Sequence, residues 1–183
     1  MRRFLDIVAT AAISLACASC GDKQLESTYD KQEGYIEAIT ESLTNGKEDA
    51  VVERNNGSVR ITLVHGEGPA LEENGAVAFY YAGYYLTGNK LSNSNIFATN
   101  DETVASSAKW VLTDSTVFSI ATIRLGEDEL SEGLKNGLLG VKGGDECYVL
   151  FNGKWGFGKK KIANIPSNAA LAYHLWIKSV SNN

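Results

Sequence analysis

The chain has 183 residues, 44% hydrophobic and 21% charged, ordinary proportions for one soluble globular domain with a small extension. A net charge of −5 provides no basic surplus to neutralise phosphates, which argues against nucleic acid as a partner. Eighteen glycines against two prolines, with eight tyrosines, favour strands and turns over a helical bundle.

Taken in chain order, Arg2 and Arg3 precede an apolar run over 4–16 that is broken by Asp6 and short for a bilayer span. This is the layout of a secretory leader. Ala18-Ser19-Cys20 follows, and small residues before a cysteine resemble a bacterial lipobox. Residues 1–20 are thus expected to be a lipoprotein signal peptide, with Cys20 as the lipidated residue and Cys17 as the other available acceptor. That implies a bacterial cell-envelope protein held to a membrane by lipid. Only Cys147 then remains, too few for an intramolecular disulfide. Alternation puts it on the face of Val149 and Phe151, as a buried, inert thiol.

Residues 21–50 divide into a polar tether, to about residue 28, and a short helix over 30–43. The helix stripe is Tyr35, Ile36, Ile39 and Leu43, with Asp30 and Glu33 spaced as a capping box and Asn45-Gly46 as the stop. One narrow stripe predicts packing on the domain. From residue 51 the period becomes two. Asn55-Asn56-Gly57 between two β-rich runs is a hairpin signal. A long strand over 76–86 places Val77, Phe79, Tyr81, Gly83 and Tyr85 on one face. A helix over 127–138 aligns Leu130, Leu134 and Leu138, with acidic residues in its first turn. Strands over 146–151 and 171–179 follow; the second alternates Leu171, Tyr173, Leu175 and Ile177 with His174, Trp176 and Lys178. The expected fold class is α+β, a curved antiparallel sheet packed on one short helix, with an N-terminal helical extension.

Four stretches, in order, resemble the FKBP-type peptidyl-prolyl isomerases. They are Gly66-Glu67-Gly68-Pro69 with the strand 74–83; Ile96-Phe97-Ala98-Thr99-Asn100; Leu125-Gly126 with 132–145; and Trp155-Gly156-Phe157-Gly158 with 165–171. The resemblance implies an FKBP-like domain over 51–183, with an insertion near 98–117 that would sit over the pocket edge as a lid or partner-selecting element. It implies prolyl isomerisation of proline-containing polypeptides, with no cofactor. His65 and His174 lack metal-ligand spacing.

Rotation about an X-Pro bond must break amide resonance, a barrier of about 18–20 kcal/mol. A dry aromatic pocket favours the less polar twisted amide, and fixed donors can hold the flanking carbonyls. Carried over from the family, the pocket is Tyr81, Phe97, Leu134 as floor, Ile165 and Tyr173, with the Ser131 N–H as backbone donor and Phe157 at a former tyrosine position. Phe118 is a further wall. Tyr173 replaces the family's usual Phe and so brings an extra hydroxyl. Ala98 and Phe157 replace an Asp and a Tyr that supply polar contacts. Two readings follow: a weak isomerase or folding factor for extracytoplasmic proteins, or a non-catalytic FKBP-like module that binds peptide or a partner.

Overall fold

In the computed structural model, which describes residues 14–110 and 115–182, the chain reverses at Asn56 and Gly57 with φ of 43° and 83°. Positive φ at both central residues matches the twist of the flanking strands, and Asn and Gly carry it at least cost. The turn joins β1 (Val51–Asn55) to β2 (Ser58–Val64). The remaining strands are β3 (Ala76–Tyr85), β4 (Ile96–Thr99), β5 (Ala121–Arg124), β6 (Glu146–Phe151) and β7 (Leu171–Ser181). Every pairing is antiparallel, in the order β1-β2-β6-β7-β3-β4, with β5 also on β3. Register shifts in the β2–β6, β3–β4 and β3–β7 pairings bend the sheet. This is the expected α+β class.

Period-two alternation divides the strand residues between two apolar clusters. On the inner face Val77 and Phe79, Cys147, Val149 and Phe151, and Leu171, Tyr173, Leu175 and Ile177 are buried with Leu134 and Leu138 of α3 (Glu132–Leu138). On the outer face Val59, Ile61, Ala82, Tyr84, Leu150 and Ala172 are buried with Ile36 and Ile39 of α1 (Ser14–Thr44). Both faces are therefore dry, with a helix on each. Side-chain hydrogen bonds at its middle lock α1 down. Gln32 donates to the Asn168 carbonyl at 2.7 Å and accepts from the Gly153 N–H at 2.9 Å, and Asn152 donates to Glu33 at 2.5 Å.

Several expectations need correction. Residues 21–28, read as a tether, are helical, because α1 begins at Ser14 rather than Asp30. Gln24, Leu25 and Glu26 are good helix formers, and Thr28 bonds back to the Gln24 carbonyl. Asp30 and Glu33 then lie inside the helix, so no capping box forms, and Glu33 serves the domain contact instead. The helix expected over 127–138 starts only at Glu132. Asp128 is drawn off to accept the Arg124 N–H at 2.6 Å, which closes a turn at the end of β5. The insertion contains α2 (Glu102–Ser107), and Val104, Ala108 and Trp110 around it pack on the outer cluster. Residues 111–114 of the insertion and residues 1–13 of the leader lie outside the described residues. Among the described residues no helix is long and apolar enough to cross a membrane.

Candidate active site

A cavity of about 260 Å3 opens on the inner side of the sheet. β3 contributes Phe79 and Tyr81, β7 Tyr173, β4 Phe97 and Ala98, and β5 Ala121 and Ile123. The floor is Leu134 on α3, with Leu130 just before the helix. The Tyr173 ring is the hub. It meets Phe97 edge-on (5.6 Å between centroids, 86°), tilts toward Tyr81 (6.4 Å, 47°), and stacks on Phe151 (6.0 Å, 21°).

Local packing explains how these rings are placed. Phe97 lies against Gly83, where a Cβ would be 2.6 Å from its Cζ, so only glycine admits the ring. Asn100, 5% exposed, fixes the backbone of β3 beside the cavity. Its Oδ1 accepts from the Tyr81 N–H at 2.6 Å, and its Nδ2 donates to the carbonyls of Phe79 (3.2 Å) and Ser119 (3.0 Å). The Thr99 hydroxyl donates to the Tyr81 carbonyl at 2.6 Å. α3 lies close on β6 because Gly133 and Gly137, spaced i and i+4, face Phe151 and Val149. Arg60 holds its far end, donating to the carbonyls of Gly137 and Leu139 while paired with Glu53.

Of the residues singled out from sequence, Tyr81, Phe97, Leu134 and Tyr173 line this cavity together. Ile165 and Phe157 pack in the same inner cluster but do not reach the cavity surface. Ser131 occupies the N-cap of α3 without a side-chain capping bond, and its Oγ is buried with no partner among the described residues. Phe118 is not on the lining. Phe79, Ala121 and Ile123 are lining residues that were not foreseen. Phe79 shared a face with Tyr81 and was the legible one; Ala121 and Ile123 sit on a four-residue strand without a readable period.

The lining carries no carboxylate, ammonium or imidazole. Burial raises the Tyr173 pKa, with the nearby Tyr81 adding to it, and burial raises that of Tyr81 as well. Both phenols stay protonated through neutral pH. Cys147 is buried and free, its thiol pushed up to about 12 by burial, which makes it a packing residue and no nucleophile.

Such a site has no group for nucleophilic or acid–base chemistry. It offers an aromatic box for an apolar ring. The model of the FKBP-type peptidyl-prolyl cis-trans isomerase family matches residues 68–178, well over half of the chain. The chain belongs to that family. Solved FKBP structures share the fold. FkpA from Escherichia coli superposes with a TM-score of 0.55 at 16% identity, over 93% of this chain and 68% of that one. The N-terminal domain of FKBP42 from Arabidopsis thaliana gives 0.54 at 17%, over 74% and 96%. A peptidyl-prolyl cis-trans isomerase from Pseudomonas syringae pv. tomato gives 0.53 at 18%, over 82% and 96%. No curated protein matches at the level of sequence. The FKBP domain thus makes the chain an isomerase-family protein whose substrates are proline-containing polypeptides.

Proposed function

We propose that this FKBP domain is a slow prolyl isomerase and folding factor for extracytoplasmic proteins, tethered to a membrane of the bacterial envelope by lipid on Cys20. The observation that supports it best is the cavity itself, four aromatic rings around an apolar floor with no charged group. A planar prolyl amide is polarised by resonance and is better solvated by water. The twisted amide has lost that polarity, so transfer into the aromatic box favours it relative to the ground state. Low rate follows from Ala98 on the cavity lining, where the family has a carboxylate. A missing hydrogen bond is worth about 0.5–1.5 kcal/mol, or roughly two- to tenfold in rate.

The envelope part of the reading rests on the leader and on Ala18-Ser19-Cys20. Its test is metabolic labelling with a fatty acid. Label is expected in the wild-type chain and lost in Cys20→Ala; label that survives there and disappears in Cys17→Ala moves the anchor, and no label removes it. The isomerase part is tested with the full chain on an Xaa-Pro peptide. Rate enhancement above the uncatalysed reaction is expected. Peptide binding without rate enhancement would establish the second reading, a non-catalytic peptide-binding module, which the missing carboxylate favours.

A further inference from the structure

Among the lining residues, Tyr81 and Tyr173 alone have a polar side-chain atom. Neither phenol hydroxyl has a hydrogen-bond partner among the described residues. Any side-chain hydrogen bond to a ligand inside this cavity must come from one of them. Tyr173 is the more desolvated, at 7% exposure, against a half-buried Tyr81. Its ring is held by Phe97 edge-on and by Phe151 in a stack. No carboxylate on the lining competes for its proton, because Ala98 presents a methyl group.

We propose that Tyr173 is a catalytic residue of this cavity, its hydroxyl donating a hydrogen bond to the prolyl nitrogen of a bound Xaa-Pro amide as that amide twists. The proposal rests on the isomerase reading and names the group that does the polar work there. In the planar amide the nitrogen lone pair is delocalised into the carbonyl and accepts almost nothing. Twisting localises that pair and makes the nitrogen an acceptor. A donor aimed at nitrogen therefore forms its bond in the transition state alone, which is the condition for raising kcat rather than affinity. The same donor on the carbonyl oxygen would hold the planar form and slow rotation. Because packing already fixes the ring, the hydroxyl makes this bond with little movement of the side chain. Burial also keeps the phenol protonated, hence a donor, above its ordinary range. The resemblance puts a phenylalanine at this position, so the hydroxyl is a departure made by this chain.

The test is Tyr173→Phe in the full chain, which deletes one oxygen and leaves the ring packing in place, with Tyr81→Phe as comparator. Isomerisation of an Xaa-Pro peptide is followed to separate kcat from KM, alongside thermal unfolding. For Tyr173→Phe we expect kcat/KM to fall about three- to tenfold, through kcat, with KM and the melting temperature unchanged. The fall for Tyr81→Phe should be smaller. An active wild type with an equally active Tyr173→Phe overturns this proposal alone. So does a rise in kcat, which would put the hydroxyl on the carbonyl, or a change confined to KM. A wild type that never exceeds the uncatalysed rate overturns the isomerase reading and this proposal with it.

Discussion

Replacing Gly133 by alanine sets two effects of known size against each other. In an exposed helix Gly→Ala gains about 1 kcal/mol, since alanine loses less backbone entropy. At Gly133 the new Cβ would stand 2.2 Å from Cγ of Phe151, where carbon atoms ordinarily sit about 3.5–4.0 Å apart. Phe151 is fully buried and stacked on Tyr173, so the ring has no free direction in which to yield. Instead α3 must lift by more than an ångström, which also moves Leu134 at the cavity floor. Overpacking of a tight core costs about 1–3 kcal/mol, and a backbone shift belongs at the upper end. The net expectation is a loss of about 1–2 kcal/mol, a drop in melting temperature of roughly 2–8 °C for a chain of this length. Gly34 in α1 is the internal control. A Cβ there meets nothing within 4 Å, so the propensity gain acts alone and Gly34→Ala should raise the melting temperature by roughly 2–4 °C. Thermal and urea unfolding of the three proteins side by side measures both signs. If Gly133→Ala melts at or above the wild type, α3 does not lie this close to β6.

Three further perturbations follow. Gln32→Leu strands the buried Gly153 N–H and the Asn168 carbonyl, a loss of about 2–4 kcal/mol, and hydrogen exchange at the Gly153 amide should speed up; unchanged exchange would mean that α1 does not clamp this loop. Leu134→Ala should cost about 2–4 kcal/mol and raise KM for prolyl peptides by enlarging the cavity, an effect that a melting curve and a steady-state assay separate. His174, stacked on Tyr148 and tilted against Trp176, has its pKa lowered below 6.5 by burial, a shift that its hydrogen bond to Glu146 (2.9 Å) only partly offsets. The unfolded chain then binds the proton more readily than the folded one, so His174 destabilises the fold as pH falls through the unfolded value. Urea midpoints should drop between about pH 7.5 and about pH 5.5, and His174→Phe should flatten that drop; an unchanged slope would reject His174 as its source.

The parts of the fold that were legible in sequence are those with long periods. β3 and β7 alternate over ten or more residues, and the Asn56-Gly57 turn has a strong local preference, so both could be read directly. Of the aromatic members of the cavity, Tyr81, Phe97 and Tyr173 came from the family resemblance, while Phe79, on the same face of β3 as Tyr81, did not. What could not be read depended on contacts between distant segments. β4 and β5 are four residues long and owe their existence to pairing with β3. The true start of α3 was hidden because Asp128, a good first-turn residue, is captured by Arg124. Ile165 and Phe157 were assigned to the cavity by motif position, but a motif does not say which side of a packed cluster a side chain faces.

The family match begins at residue 68, yet the sheet does not. β2 lies before that point and pairs with β6, which in turn pairs with the central β7. α1 also lies before it and roofs Ile61, Leu150 and Ala172. A fragment cut at the family boundary would carry every residue that lines the cavity. It would also offer β6 as a bare edge, with unpaired N–H and C=O groups beside an uncovered apolar plane. Those two features together are a template for joining one chain to the next. The unit able to keep its own surface from self-association is therefore longer than the unit that carries the chemistry.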